Sequence, residues 1–254
     1  MRTEILYEDK SIMVVRKPAG LAVQSAGIGQ PDVVSELKSY LAKLPGAGRT
    51  GKGEPYLGIV HRLDQPVEGL LVFAKDKKAA AALSKQLTEG ALNKHYYAVL
   101  CGYPDCPEGD LVDYLRKEGN VAVAVTGREQ EFADAKIAAL HYRILEEIND
   151  PSPLALADVT IGTGRFHQIR VQFAHAGFPL FGDTKYGTAV LKEAMPAQKY
   201  RGVALCAYSL ELVHPVSGKK MGFRVVPKNP AFAGFAMEEL KKLTENETGI
   251  SKRG

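Results

Sequence analysis

A short polar cluster between two apolar runs is the first candidate for chemistry in this 254-residue sequence. Residues 61–64 read HRLD and lie between residues 57–60 and 70–74, which have the composition of buried strands. A loop at a strand end carries its side chains into a cleft, where functional groups concentrate. Asp64 is therefore a candidate reactive carboxylate. From the residues alone, a solvated loop with an Arg–Asp pair is the alternative interpretation.

A second polar cluster surrounds two arginines at the start of a predicted helix over residues 166–176. Arg165 and Arg170 lie five residues apart, and guanidinium groups beside free helix-terminal amides suit a phosphate or carboxylate anion. A structural role for both charges is the alternative. His167 and His175 are eight residues apart, which does not match the i, i+4 spacing of a helical metal pair. We therefore predict no metal site.

Between these clusters, residues 94–100 read KHYYAVL and predict a strand. The two-residue period of a strand sends Tyr96 and Tyr97 to opposite faces of the sheet. One ring can therefore face a cleft while the other packs in the core. Two core tyrosines are the alternative, and the sequence does not decide between them.

A glycine-rich stretch at residues 45–55 has part of a phosphate-binding pattern, GxxxxGK over residues 46–52. Gly53 stands where that pattern needs a Ser or Thr to hold magnesium, and the stretch follows a predicted helix rather than a strand. We interpret it as a surface loop that carries Arg49 and Lys52. No nucleotide cofactor is predicted.

The elements that position these clusters are a few helices between groups of short strands. Asp32 is a suitable N-cap for a helix over residues 33–44, and helical spacing predicts further helices over 77–89, 166–176 and 230–243. Apolar runs predict strands at residues 5–7, 12–15, 57–60, 70–74, 96–100, 121–125, 137–145, 156–161, 204–213 and 220–226. Since strands and helices do not alternate strictly, we predict an α+β fold with a largely antiparallel, mixed sheet. One catalytic domain is predicted over residues 1–243, with a disordered polar tail over 244–254.

Composition sets wide limits on function. The chain carries 33 Lys+Arg and 29 Asp+Glu, a net charge of +4, which permits a polyanionic partner without demanding one. A hydrophobic fraction of 45% excludes wholesale disorder. No apolar run approaches the roughly 20 residues of a membrane helix, and the N-terminus lacks a signal-peptide pattern. With only three cysteines, we predict a cytoplasmic protein without a disulfide framework and without membrane association.

Together, these motifs resemble those of RluA-type RNA pseudouridine synthases, and the resemblance covers most of residues 5–226. The motifs follow the family's order: VVRKPAGL at 14–21, HRLD at 61–64, GLLVFAK at 69–75, KHYYAV at 94–99, TGRFHQIR at 163–170, and GFPLFGD at 177–183 with YG at 186–187. Three sites depart from the usual residues: Arg16 replaces Asn, Val67-Glu68 replaces Thr-Ser, and Phe166 replaces Thr. None of them is the carboxylate, so we expect an effect on substrate preference rather than on activity.

The resemblance implies the pseudouridine synthase fold and the isomerisation of uridine to pseudouridine in ribosomal or transfer RNA, without a metal or organic cofactor. It implies that Asp64 is the essential carboxylate, that Tyr96 stacks on the base, and that Arg165 is the basic partner of the aspartate. Whether the carboxylate attacks the sugar or assists an elimination stays open.

The resemblance also implies an RNA surface with a looped-out uridine. The predicted RNA-binding residues are Arg62, His61, Lys94, Gln168 and Arg170. We expect a monomer without an N-terminal S4-like module. Two alternatives remain: an RNA-binding module of the same fold without turnover, and a small-molecule hydrolase that uses Asp64 with His61 or His167.

Overall fold

A computed structural model describes residues 1–25, 27, 29–44, 54–127, 133–149, 152–187 and 202–236. They fall into two compact units: unit 1 comprises Met1–Lys94 and Ala207–Val225, and unit 2 comprises the described residues of His95–Cys206 and Val226–Gly254. The glycine-rich stretch at 45–53, with Arg49 and Lys52, lies outside the described residues, as does the predicted tail over 244–254. The single catalytic domain over residues 1–243 stays a prediction.

The described residues contain eleven strands and three α-helices. In chain order, the strands are β1 Glu4–Glu8, β2 Ile12–Lys17, β3 Gly58–Ile59, β4 Glu68–Ala74, β5 Asn93–Cys101, β6 Glu108–Glu118, β7 Val121–Val125, β8 Lys136–Asn149, β9 Pro153–Ile161, β10 Leu205–Val213 and β11 Lys220–Arg224. The helices are α1 Val33–Lys43, α2 Lys77–Thr88 and α3 Gln168–His175.

The strands of unit 1 follow the order β1-β2-β4-β10, with β11 beside β10 and β3 beside β4. The strands predicted at residues 5–7 and 12–15 are observed as β1 and β2, which pair as an antiparallel hairpin. Its turn is fixed by Asp9, whose Oδ1 accepts from the N–H groups of Ser11 and Ile12 at 2.8 Å each. Such a side-chain-to-backbone bond is the usual reason why Asp is favoured in turns. Every residue of β4 is buried, so β4 forms the centre of this unit's core.

The strands of unit 2 follow the order β5-β9-β8-β6-β7, and each neighbouring pair is antiparallel. This arrangement confirms the predicted α+β class with a largely antiparallel sheet. Strand β6 was not predicted, because its sequence EGDLVDYLRKE is rich in charge and its side chains alternate between exposed and half-buried. Pairing with both β7 and β8 makes it a strand despite that composition.

Helix α1 has its predicted cap, and α2 has one that was not predicted. Asp32 accepts from the N–H of Ser35 at 2.7 Å at the start of α1, and Asp76 accepts from the N–H of Ala79 at 2.8 Å at the start of α2. The prediction of a helix from residue 230 is wrong at its start, because Pro230–Phe232 forms a 3₁₀ turn capped by Asn229. The rest of that predicted helix lies outside the described residues. Within the described part of the chain, no helix has the length and apolarity to cross a membrane.

Candidate active site

Asp64 lies in unit 1 on the loop between β3 and β4, residues 60–67, which we name the Asp64 loop. The Asp64 side chain is half-buried, and its own carbonyl accepts from the N–H of Val67 at 3.1 Å, which closes a tight turn. The neighbouring Arg62 is exposed and donates to Gln24 Oε1 at 3.3 Å. The sequence thus delivers a carboxylate and a guanidinium on one short loop beside a fully buried strand.

A buried lysine anchors this loop. Lys17 is 0% exposed, and its ammonium donates to the carbonyls of Leu21 at 2.7 Å, Pro18 at 3.0 Å and Gln65 at 3.0 Å. The Gln65 carbonyl directly follows Asp64 in the chain, so the lysine ties the loop to the turn after β2. Burial lowers the pKa of Lys17 to about 7, and this effect outweighs the opposing attraction of the Asp64 and Glu68 carboxylates.

Two of the departures from the family pattern meet beside this anchor. Arg16 Nη2 lies 3.6 Å from Glu68 Oε2, and both side chains are largely buried. Their strands β2 and β4 are antiparallel neighbours, with Arg16 opposite Leu70 and Lys17 opposite Gly69. The negative charge of Glu68 is therefore paired with the positive charge of Arg16, and the register of the two strands brings them together.

The His61 side chain is buried and forms a hydrogen bond with the backbone. Its Nε2 accepts from the N–H of Val72 at 3.3 Å, so the ring proton is assigned to Nδ1, which finds no hydrogen-bond partner among the described residues. Burial, with a smaller contribution from the charge of Lys94, lowers the pKa of His61 to about 3. Burial also lowers the pKa of the half-buried Lys94. The His61 imidazole is thus turned into the protein, and the RNA contact expected of it stays a prediction.

Arg165 lies in unit 2 on residues 162–167, which we name the Arg165 loop. Gln168 braces this loop, because its Oε1 accepts from the Thr163 hydroxyl at 2.7 Å and from the Arg165 N–H at 3.0 Å, while its Nε2 donates to the Ala139 carbonyl at 3.0 Å. The exposed Arg165 side chain donates from Nε to the Ile137 carbonyl at 2.9 Å. Helix α3 consequently begins at Gln168, two residues later than predicted.

The Arg170 side chain is buried and forms an ion pair. It is 4% exposed and forms a two-pronged ion pair with Asp183, which is fully buried, through Nε at 2.7 Å and Nη2 at 2.8 Å. Asp183 also accepts from the N–H groups of Lys185 and Tyr186. Arg170 and the equally buried Gln168 hold loops in place, and the RNA contacts expected of both residues stay a prediction.

Tyr96 lies on β5 in unit 2, opposite Val159 of β9. Its side chain is 4% exposed and that of Tyr97 is 1% exposed, so both rings are enclosed by protein. The predicted site residues therefore divide between the units: Asp64, Arg62, His61 and Lys94 belong to unit 1, and Tyr96, Arg165, Gln168 and Arg170 to unit 2.

Sequence reasoning did not assign a role to Lys17. A lysine at the end of the otherwise apolar run of β2 was the available signal, since a buried cation needs dedicated acceptors. Among the described residues, no group of three or more His, Cys, Asp or Glu side chains is arranged to hold a metal ion.

Comparison with known proteins identifies the family of this chain. Residues 11–175 match the sequence profile of RNA pseudouridylate synthase. A ribosomal large subunit pseudouridine synthase D from Zymomonas mobilis is 35% identical over 229 residues, which cover 87% of this chain and 68% of the relative. An uncharacterized RNA pseudouridine synthase from Synechocystis is 38% identical over 226 residues, 85% of this chain and 63% of the relative. The chain thus spans about two thirds of the length of these relatives.

The fold has solved counterparts. The human RNA pseudouridylate synthase domain containing 1 superposes with a TM-score of 0.71 at 19% sequence identity, covering 96% of this chain and 94% of that one. At this identity the likeness shows a shared fold. The profile match and the bacterial relatives go further, and they show that the chain belongs to the RNA pseudouridylate synthase family.

Proposed function

We propose that this protein isomerises uridine to pseudouridine in RNA, with Asp64 as the reactive carboxylate. The observation that carries the proposal is the family match over residues 11–175. Asp64, Tyr96 and Arg165 lie within this range, and the resemblance of their surrounding sequences to the family's motifs is the reason for proposing them as the catalytic residues. The anchoring of the Asp64 loop by Lys17 supports it, because a reactive group must be held in a fixed geometry to act.

The reaction rearranges bonds without any redox change. The bond from uracil N1 to the sugar C1′ breaks, a bond from C5 to C1′ forms, and the proton lost from C5 is balanced by a proton gained at N1. An ionised Asp64 can attack C1′ as a nucleophile or remove a sugar proton to assist elimination, and both routes end in the same isomer. Tyr96 and Arg165 are proposed as its partners in catalysis, the tyrosine stacking on the base.

The proposed substrate is ribosomal RNA, because several relatives are named as synthases of the large ribosomal subunit. Transfer RNA is the alternative outcome. Arg62 is the proposed RNA contact on the Asp64 loop, since it is exposed and two residues from the carboxylate. We propose that the protein acts as a monomer in the cytoplasm. A pseudouridine map of total RNA from cells with and without the gene identifies the substrate, as the sites that disappear.

The test of the function is Asp64→Asn, which removes the charge with almost no change in shape. We expect tritium release from RNA labelled at uridine C5 to fall to background. The matched control is Asp76→Asn, which keeps the cap of α2 because Asn is also a good N-cap residue, and it should retain full turnover. Turnover by Asp64→Asn would reject the assignment, and RNA binding without turnover by the wild type would favour a binding module.

A further inference from the structure

An aromatic side chain lies on the surface of the Arg165 loop. Phe166 is 40% exposed and is the only exposed aromatic residue in the part of the chain that the structure describes. Its ring stacks on the imidazole of His167, with centroids 3.8 Å apart and planes inclined by 22°. Single exposed apolar residues are common on protein surfaces. What distinguishes Phe166 is the way in which the pair of rings is held.

The pair is held by a strained backbone. His167 has φ +54°, the only positive φ of a non-glycine residue among those described. A left-handed conformation costs free energy for an L-residue, and the surrounding structure must impose it. Here His167 Nδ1 lies 2.6 Å from the Tyr186 hydroxyl, which also accepts from the N–H of Ala122 at 2.8 Å. The hydroxyl thus fixes the His167 ring, and with it one face of Phe166.

Tyr186 is itself held in place by the buried Arg170–Asp183 ion pair. Its N–H donates to Asp183, the partner of Arg170, and the Arg170 guanidinium lies 5.2 Å from the centre of the Tyr186 ring. The buried ion pair is therefore connected, through Tyr186, to the two stacked rings at the surface. Several buried groups support a surface feature that contributes little to the core, and this pattern is typical of a pre-organised binding site.

Two cations lie beside the stacked rings. Lys117 is exposed, and its ammonium is 5.0 Å from the centre of the Phe166 ring. Arg165 precedes Phe166 and uses Nε for the Ile137 carbonyl, one of the five N–H donors of a guanidinium. An exposed aromatic face beside Lys and Arg side chains is complementary to single-stranded nucleic acid, in which each flat base lies next to a phosphate.

We propose that the Phe166–His167 pair is a stacking platform for an unpaired base of the RNA substrate, with Lys117 binding an adjacent phosphate. The Lys117 ammonium moves from the ring to a phosphate when a base occupies the platform. This inference rests on the proposed function for the class of ligand. It adds a binding site at the position where this chain has Phe instead of the residue common in its family.

The test compares Phe166→Ala and Phe166→Leu with the matched variant Phe166→Tyr. Binding of a fluorescein-labelled twelve-residue oligouridylate is measured by anisotropy at low salt. We expect the alanine and leucine variants to bind about tenfold more weakly, in the range of one lost base stack, and Phe166→Tyr to bind within about twofold of the wild type because it keeps the ring. Since Phe166 is exposed, all variants should keep the wild-type Tm.

A salt titration separates the contribution of base stacking to the binding affinity from that of charge. Phe166→Ala should leave the slope of log affinity against log salt unchanged, whereas Lys117→Gln should reduce it by about 0.7, the loss of one phosphate contact to a single strand. Equal affinity of Phe166→Ala and wild type, or no binding of the oligouridylate by the wild type, would overturn the platform. An effect of Phe166 variants on self-association alone would assign the surface to protein contact and would also overturn it.

These results stay distinct from the test of the function. If the wild type forms pseudouridine while the Phe166 variants bind and turn over normally, the platform is rejected and the function stands. If the oligouridylate binds through Phe166 but the wild type forms no pseudouridine in any RNA, the proposed function is rejected and the platform stands as an RNA-binding site.

Discussion

The two loops that carry the candidate catalytic residues are fixed by different kinds of interaction. The Asp64 loop depends on groups that titrate: the buried ammonium of Lys17 and the buried imidazole of His61, with the Arg16–Glu68 ion pair at the start of β4. The Arg165 loop is held mainly by a neutral amide, Gln168, and by main-chain carbonyls. The charged pair of unit 2 fixes the turn after Asp183 and reaches only the end of the Arg165 loop, where Tyr186 contacts His167.

This difference predicts different sensitivities. A charge removed from water is costly, and the loss of its partner leaves that cost uncompensated. Neutral hydrogen bonds contribute less each and do not change with pH. The Asp64 loop should therefore respond strongly to single substitutions and to acid, and the part of the Arg165 loop that Gln168 braces, residues 163–165, weakly to both.

The largest effect is expected for Lys17→Met, which keeps the length of the side chain and removes all three hydrogen bonds. We expect the free energy of unfolding to fall by about 4 kcal/mol, because three main-chain carbonyls, of which that of Leu21 is buried, lose a charged donor. Urea unfolding measures it. The control is Lys38→Met, which breaks an exposed ion pair with Glu54 and should cost less than about 1 kcal/mol. Similar losses in both variants would show that the buried lysine is not an anchor.

A double-mutant cycle on Arg16 and Glu68 comes next. Glu68→Gln should lower the free energy of unfolding by about 2.5 kcal/mol, because it removes one charge of a largely buried ion pair. The double variant Arg16→Asn, Glu68→Ser carries the residues usual in the family and should recover most of that loss. Additive effects of the separate Arg16→Asn and Glu68→Ser changes would show that the two positions are not coupled.

Acid should destabilise the protein through His61. Its pKa is about 3 in the folded chain and about 6.5 when unfolded, so between these values the unfolded state binds more protons and stability falls as the pH drops. At about 1.4 kcal/mol per pH unit, the loss from pH 6 to 4.5 is about 2 kcal/mol. Urea unfolding of His61→Gln should lack this part of the pH dependence, and the exposed-site control His141→Gln should retain it. An unchanged pH profile in His61→Gln would contradict a neutral buried imidazole.

The smallest effect is expected in the Arg165 loop. Gln168→Met keeps the volume and removes the brace, which should lower the free energy of unfolding by about 1.5 kcal/mol, equally at pH 6 and pH 4.5. The exposed Gln65→Met should change it by less than about 0.5 kcal/mol. A loss in Gln168→Met that varies with pH would remove the distinction between the two loops.

Local patterns in the sequence predicted much of the fold. The helix over 33–44 was observed as Val33–Lys43, because its apolar spacing and its Asp32 cap are both local signals. Strand β6 was missed because its charged composition carries no strand signal, and only pairing with distant strands decides its conformation. The helix at residue 230 failed at its start because Asn229 and Pro230 also suit a single 3₁₀ turn.

By itself, the sequence determined the order of elements and the residue types of the motifs, from Asp64 on a loop before a buried strand to Arg165 ahead of α3. Tertiary structure alone decided which polar residues face solvent. Gln168 and Arg170 are turned inward because they form hydrogen bonds with Ala139 and Asp183. These partners lie 29 and 13 residues away in the sequence, too far for a local pattern to indicate them. Arg16 and Glu68 became a pair only through the register of β2 and β4. The physical reason is that hydrogen-bond and charge satisfaction of a buried group depends on spatial neighbours, which local periodicity does not specify.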